Sequence, residues 1–251
     1  MRKLVRLGLR SVWLCAELLF ITTDFAFAVL RHRGLPPQRV RMVWLQHSSR
    51  RVLRILAAEI ESSGPCPREG LLVSNHLSYL DILVLVTLTP AVFVSKSEVR
   101  HWPVFGWFAR MSGTIFLDRT RRSDVVRIRE KIDAVLRDGH LVVLFPEGTS
   151  SDGRQVLPFR SSLLESVTAN ERPLFVSGIT YAVTDGSVEQ DVCYWGDMTF
   201  FPHLIRVMTT QGIRARVRFS KIEHRADNRK DLARQLHTEV VRLRPQAGMN
   251  N

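Results

Sequence analysis

Residues 71–85 read LLVSNHLSYLDILVL, an apolar run, a short polar turn and a second apolar run. The apolar residues at 71–73 predict a buried strand, and Ser78 opens a predicted helix with Asp81 in its first turn. His76 lies in the turn, five residues before Asp81. Five residues on a continuous helix correspond to about 500° of rotation, so the two side chains can meet only if His76 precedes the helix.

An imidazole beside a carboxylate is suited to acid–base chemistry. The neutral ring accepts a proton from a hydroxyl, while the carboxylate orients the ring and stabilises the imidazolium that forms. The same residues fit a simpler interpretation, because Ser78 and Asp81 have the spacing of a capping box. Asp81 would then only satisfy a free amide at the start of the helix. This stretch by itself favours the structural interpretation, and catalysis needs support from other motifs.

Two further segments place polar residues at the ends of strand-like runs. Residues 141–153 read LVVLFPEGTSSDG, a buried run that a proline stops. Glu147 then supplies a charge, and Gly148 lets the backbone approach a ligand closely. Residues 113–119 read GTIFLDR, a shorter run that ends in Arg119.

The order and spacing of these motifs resemble those of the glycerolipid acyltransferase family, with NHLSYLD at 75–81, GTIFLDR at 113–119 and FPEGT at 145–149. The resemblance extends over roughly residues 71–180. It implies an α/β fold of the glycerol-phosphate-acyltransferase type, a seven-stranded mixed sheet flanked by helices. One position departs from the family: the sequence LFVSGIT has Ser177 where the fourth motif usually carries a proline.

The resemblance implies a direct acyl transfer without an acyl-enzyme. His76, oriented by Asp81, would take the proton from the free hydroxyl of a lysophospholipid, and the oxygen would attack the thioester of acyl-CoA or acyl-carrier protein. Arg119 would bind the acceptor's phosphate, because a guanidinium matches phosphate oxygens in pairs. Glu147 would position the acceptor or Arg119, or form a structural ion pair.

Three further residues are predicted to lie near the same anion. Gly148 and Thr149 would supply a backbone turn and a hydroxyl, and Lys96 is an additional candidate. No metal site is expected, because nothing near His76 has ligand spacing. The expected reaction needs no cofactor, only the thioester as co-substrate.

Two lipids are candidates for the acyl acceptor. The main prediction is 1-acylglycerol 3-phosphate, which would give phosphatidic acid and make the protein a 1-acylglycerol-3-phosphate O-acyltransferase. The alternative is lyso-ornithine lipid, which has no phosphate. It is considered because FPEGTSSDG followed by VLPFRSSLL also resembles bacterial enzymes that acylate this lipid.

A serine hydrolase is excluded, because no G-x-S-x-G occurs. A non-catalytic basic protein that binds membranes or nucleic acid is a more distant alternative.

The charge is concentrated at the N-terminal end. The 251 residues carry a formal net charge of +12, and residues 1–54 contain eleven Lys or Arg and two acids, a net of +9. A basic segment interleaved with apolar residues favours an anionic lipid surface over nucleic acid. We therefore expect membrane-associating helices over 1–60 and an acyltransferase domain over 61–251. The cysteines lack metal-ligand spacing, which favours a reduced, cytosol-facing protein.

Residues 11–30 contain no Lys or Arg, a length that would span a bilayer. Polar residues nevertheless recur every seven positions and predict one polar stripe on an apolar helix: Arg10, Glu17, Asp24 and Arg31. This pattern favours a helix lying in the membrane interface, with the stripe against water or protein; a full span is the alternative. Glu17 interrupts the apolar core that a secretory signal needs. The expected location is the cytoplasmic face of a membrane, the inner membrane in a bacterial cell.

The rest of the chain alternates short apolar runs with amphipathic stretches, which is typical of an α/β sheet. Six strands are predicted, at 71–73, 92–95, 113–117, 141–145, 174–180 and 213–219. Five helices are predicted, at 81–88, 103–111, 123–137, 161–167 and 227–244. The aromatic sequence HWPVFGWFARM at 101–111 fits either a core helix or an exposed apolar lip that admits lipid, and FFPHLIR at 200–206 resembles a second such patch.

Overall fold

The computed structural model describes residues 1–118, 122–164 and 172–244. A seven-stranded mixed sheet forms its centre, as the family resemblance implies. The strands are β1 Ala58–Ser63, β2 Gly70–Ser74, β3 Val92–Lys96, β4 Ile115–Leu117, β5 Leu141–Leu144, β6 Leu174–Val183 and β7 Ile213–Lys221. The helices are α1 Arg2–Arg31, α2 Gln38–Ile55, α3 Leu80–Leu88, α4 Phe105–Met111, α5 Arg122–Arg137, α6 Val188–Asp191, α7 Phe200–Thr209 and α8 Arg229–Leu243. A short 3₁₀ helix, Ser97–His101, precedes α4.

The strand order is β1-β7-β6-β2-β5-β3-β4. Strands β2 to β6 run parallel to one another, whereas β7 is antiparallel to β6 and β1 is parallel to β7. The carboxyl ends of β2, β3, β4 and β5 therefore lie at one edge of the sheet. The segments that follow these strands meet there, at the usual position of a ligand site in a parallel sheet.

Alternate side chains of β2 face two separate apolar layers. Leu71 and Val73 belong to a core cluster that includes Ile132 of α5 and Leu236 of α8. Leu72 belongs to the opposite cluster, which includes side chains of α2 and α3. A strand covered on both faces is apolar at nearly every position, and all five β2 residues are buried.

All six predicted strands are present, within a few residues of the predicted bounds. Strand β1 is not among the predicted strands, because its sequence AEIESS is short and polar and overlaps the end of the segment predicted as membrane-associating helices. Its pairing with β7 is a long-range contact that includes an ion pair of Glu61 with Arg216, 2.8 Å. Of the predicted helix at 161–167, residues 165–167 lie outside the described part of the chain.

Helix α1 is long and apolar enough to cross a membrane, which makes it a candidate membrane segment. The predicted polar stripe is divided between protein and solvent. Arg10 is buried and Glu17 accepts a hydrogen bond from Arg51 of α2, whereas Asp24 and Arg31 are exposed. Helix α1 also exposes nine large apolar side chains: Leu4, Val5, Leu9, Val12, Trp13, Leu19, Phe20, Phe27 and Leu30.

Arg10 attaches α1 to the catalytic part of the chain. Its Nη1 donates to the carbonyls of Met208 at 3.0 Å and Thr210 at 2.7 Å, at the C-terminal end of α7. Its Nη2 donates to the carbonyl of Leu56, 3.1 Å away at the end of α2. The last carbonyls of a helix have no partner inside it and carry partial negative charge, so a guanidinium is well suited to them.

Helix α2 holds two further helix ends in the same way. Arg41 donates to the carbonyls of Arg110 and Met111 at the end of α4, at 2.5 and 2.8 Å. Arg50 donates to Thr87 in the last turn of α3, at 3.0 Å. The apolar side chains of α2 also enter the core, so this helix is packed against the sheet domain. The boundary at residue 60 stays a prediction, although β1 already begins at residue 58.

We expect Arg10→Met to lower the free energy of unfolding by about 2–3 kcal/mol, because the three carbonyls lose a charged donor. For a chain of this size the corresponding fall in Tm is roughly 5–10 °C. Thermal unfolding in detergent micelles, followed by circular dichroism, measures the change. Arg2→Met is the matched control, since Arg2 is exposed on the same helix. Equal Tm values for the two variants would contradict the attachment.

Candidate active site

His76 lies in the turn between β2 and α3, and Asp81 lies in the first turn of α3. His76 Nδ1 and Asp81 Oδ2 are 2.8 Å apart. The spacing predicts this arrangement, with the histidine before the helix and the carboxylate within it. The Asp81 side chain is completely buried, whereas 19% of the His76 side chain is exposed.

Asp81 accepts hydrogen bonds at both carboxylate oxygens. Its Oδ2 also receives the backbone N–H groups of Leu77 at 2.6 Å and Ser78 at 3.0 Å. Its Oδ1 receives the hydroxyl of Tyr181 at 2.7 Å. The other three contacts of this carboxylate are all with hydrogen-bond donors, which is the pattern of an ionised carboxylate, a group that can only accept. We therefore assign the hydrogen of the fourth contact to Nδ1 of His76. The ring then has its second nitrogen, Nε2, free to act as a base.

The capping interpretation is correct in part. Asp81 does satisfy free amides ahead of α3, as a capping carboxylate does. The reciprocal contact of a capping box is missing among the described residues, because the buried Ser78 Oγ has no hydrogen-bond partner there. Asp81 therefore combines two functions: it fixes the turn and it binds the histidine ring.

The turn that carries His76 is tied to neighbouring elements. Asn75 exchanges two hydrogen bonds with Ile179 of β6, at 2.7 and 3.1 Å. The His76 carbonyl accepts the backbone N–H of Ser151 at 3.0 Å. The His76 ring stacks on Phe145, with centroids 4.1 Å apart. Both the backbone and the ring of His76 are thereby held in place.

Glu147 lies behind His76 and is only 3% exposed. Its Oε1 accepts the backbone N–H of His76 at 2.6 Å, and its Oε2 accepts that of Leu157 at 2.8 Å. Burial raises the pKa of this carboxyl to about 7, against the opposing effect of the two hydrogen bonds. Glu147 thus connects the FPEGT turn to the backbone of His76, a contact that the sequence does not reveal.

A cavity of about 650 Å³ extends from His76. Its lining includes Lys96, Gly148 and Thr149 and is otherwise mainly apolar, with side chains from α1, α2, α3, α4 and α7. Gly148 has φ +78°, a backbone conformation that favours glycine. A large apolar cavity with a few polar groups at one place is typical of a small-molecule site.

The structure brings His76, Asp81, Lys96, Gly148 and Thr149 together at the carboxyl edge of the sheet. Arg119 lies outside the described residues; Leu117, at the end of β4, pairs in register with Lys96. Sequence reasoning missed Tyr181, which lies one hundred residues from Asp81 and belongs to no motif. Among the described residues, no group of three or more His, Cys, Asp or Glu could hold a metal ion.

Known proteins resemble this chain in sequence and in fold. Residues 57–180 match the family model Acyltransferase. Lyso-ornithine lipid O-acyltransferase of Brucella abortus is 35% identical over 210 residues, 76% of this chain and 78% of that protein. The 1-acyl-sn-glycerol-3-phosphate acyltransferase of Neisseria meningitidis is 36% identical over 136 residues, 53% and 52% of the two chains.

The crystal structure of the 1-acyl-sn-glycerophosphate acyltransferase of Thermotoga maritima has the same fold, with a TM-score of 0.61 over the whole of both chains and 19% identity. The chain belongs to the acyltransferase family. The predicted membership in an acyltransferase family is confirmed.

We expect Tyr181→Phe to lower kcat about tenfold, because a hydrogen bond to a charged carboxylate contributes about 1.5–3 kcal/mol and orients Asp81 towards His76. The KM of the lipid acceptor should change less than twofold. Steady-state transfer assays measure both constants. Tyr79→Phe is the control, because it removes another buried hydroxyl, one that contacts His203 instead. Equal losses in both variants would show that Tyr181 acts only through packing.

We expect the free energy of unfolding of the wild type, measured relative to that of Glu147→Gln, to fall as the pH rises from 4.5 to 7. The pKa of Glu147 is raised from 4.5 to about 7 in the folded state. The folded state therefore binds more protons in this window, and its stabilisation is lost as the pH rises through 7. Urea unfolding at pH 5 and pH 8 should show a relative change of at most about 3 kcal/mol. Glu130→Gln, on the exposed surface of α5, should show none; a matching change there would refute the assignment.

Proposed function

We propose that this protein transfers a fatty acyl group from an acyl thioester to the free hydroxyl of a lyso-lipid, and that its main acceptor is lyso-ornithine lipid. The observation that carries the chemistry is the His76–Asp81 hydrogen bond at the end of a large apolar cavity. An acid–base pair beside an apolar chamber is what acylation of a lipid hydroxyl requires.

In the proposed reaction His76 is the general base. Its Nε2 takes the proton of the acceptor hydroxyl as the oxygen attacks the thioester carbonyl carbon. The new ester C–O bond forms, the C–S bond breaks, and the imidazolium returns the proton to the leaving thiolate. Asp81 stabilises the imidazolium through Nδ1. No bond between the acyl group and the protein is formed.

The proposed donor is acyl-CoA or acyl-carrier protein, and no further cofactor takes part. The apolar lining supports binding of a hydrocarbon chain, because each methylene that leaves water contributes about 0.8 kcal/mol. Thioester donors of this kind are found in the cytosol, so we infer that the catalytic domain lies on the cytoplasmic face of the membrane. The exposed apolar face of α1 supports contact with that membrane.

The choice of acceptor is supported by the extent of similarity. The relative that acylates lyso-ornithine lipid matches 78% of its length, including regions outside the motifs, whereas the Neisseria relative matches 52% of its length. The longer match favours lyso-ornithine lipid as the acceptor.

A second candidate acceptor is 1-acylglycerol 3-phosphate. It is favoured by Lys96, a cationic side chain on the lining of the cavity, together with Gly148 and Thr149. Arg119 would add a bidentate contact to the phosphate. Glu147 would assist this acceptor only indirectly, by fixing the backbone of His76.

The test offers palmitoyl-carrier protein or palmitoyl-CoA with each acceptor in mixed micelles and resolves the products by mass spectrometry. We expect kcat/KM for lyso-ornithine lipid to exceed that for the phosphate acceptor at least tenfold. His76→Ala should lower transfer by about 10²–10⁴-fold. The exposed His47 of α2 provides the control His47→Ala, which should keep wild-type activity.

A reversed preference would replace the proposed acceptor with 1-acylglycerol 3-phosphate. Activity of His76→Ala within a few fold of wild type would remove His76 from the mechanism. Failure of the folded wild-type protein to acylate either lipid would overturn the proposed function as a whole.

A further inference from the structure

Four large apolar side chains remain exposed beside the cavity, on two helices that are far apart in sequence. Val104 is 40% and Trp107 is 45% exposed at α4, and Phe201 is 55% and Ile205 is 50% exposed on α7. We call these four residues the α4–α7 rim. Val104, Phe201 and Ile205 also line the cavity, so the rim borders the space that leads to His76.

The rim is held outward by the packing beneath it. Gly106 is buried so tightly that a Cβ there would lie 2.3 Å from the Arg100 carbonyl, which fixes the inward face of α4. Val104 has φ +62°, a conformation that valine rarely adopts. In water, the strained backbone of Val104 and the exposure of its apolar side chain both cost free energy.

Helix α7 is apolar on two faces. His203 and Val207 are buried against the domain, while Phe201 and Ile205, one turn apart, lie together on the outer surface. The neighbouring rings of Phe105 and Phe200 are 4.6 Å apart and join α4 to α7. The rim therefore forms one surface across two helices.

Helix α1 packs against α7 and lines the same cavity. Arg10 attaches α1 to the end of α7, and Leu14 and Leu18 of α1 line the same cavity as Phe201. Helix α1 is a candidate membrane segment with an exposed apolar face. A membrane in contact with the exposed apolar face of α1 would therefore be close to the rim.

Three arginine side chains near the rim indicate which kind of partner it binds. Arg100 precedes α4, Arg110 lies in the last turn of α4, and Arg206 follows Ile205 on α7; all three residues are exposed. Basic side chains around an apolar and aromatic patch match the anionic head groups and the interfacial zone of a bilayer.

We propose that the α4–α7 rim is a second membrane-contact surface, which enters the boundary between head groups and acyl chains of an anionic bilayer beside α1. The cavity then opens directly into lipid, and the acyl chain of a lyso-lipid enters it without crossing water. This contact is independent of which acceptor is used, so it can be tested separately from the proposed function.

The first test places an environment-sensitive fluorophore on the full-length chain through Trp107→Cys, after the exposed Cys15 and Cys66 have been replaced by serine. The vesicles contain phosphatidylglycerol and phosphatidylcholine. We expect a blue shift, quenching by spin-labelled lipid and at least fivefold protection from aqueous iodide. Val241→Cys is the control, because Val241 is 46% exposed on α8, away from the rim, and should show none of these effects.

The second test measures transfer by Trp107→Ser, since Trp107 is not among the described residues that line the cavity. We expect KM for an acceptor embedded in vesicles to rise about tenfold, because an aromatic anchor is lost. KM for the acceptor in micelles should stay within twofold, and Val241→Ser should behave like wild type with both.

Equal iodide access at position 107 with and without vesicles would overturn the proposal, because the rim would then face water. Protection that depends on protein concentration and not on vesicles would also overturn it, in favour of a second copy of the chain. These results do not depend on catalytic activity, so they remain decisive even if the proposed acceptor is wrong.

Discussion

The site depends on the complete burial of one carboxylate. Asp81 has no contact with solvent, and a buried charge is tolerated only when hydrogen-bond donors surround it. Its donors come from the His76 ring, two backbone amides of the same turn and Tyr181. The orientation of the His76 ring therefore follows from the requirement that Asp81 be fully satisfied. Loss of any one donor affects both stability and the position of the ring.

A second buried carboxyl acts on the backbone of the same histidine. Glu147 receives the His76 amide, while its elevated pKa, which is about 7, records the cost of burying it. Asp81 contributes to this rise through its negative charge. Two carboxyl groups thus hold one histidine, by its ring and by its amide. Because Glu147 follows β5 and Tyr181 belongs to β6, the arrangement requires that both strands pair with β2.

Basic side chains connect the N-terminal helices to the walls of the cavity. Arg10 binds the end of α7 and Arg41 binds the end of α4, so the helices that carry the α4–α7 rim are each attached to α1 or α2. Part of the positive charge of this segment therefore has a structural function. A shift of α1 or α2 relative to the sheet would be transmitted to the cavity through these contacts.

The local features of the chain could be predicted from its sequence. The apolar runs predicted six strands, and the spacing from His76 to Asp81 predicted a histidine before a helix and a carboxylate inside it, because both follow from backbone periodicity. Tertiary structure alone decided that Tyr181 reaches Asp81, that Glu147 holds the amide of His76, that β1 joins the sheet and that Arg10 faces the protein. These contacts join residues that are 46 to 200 positions apart. No pattern of neighbouring residues encodes such contacts, since they form only when the strands pair and the helices pack.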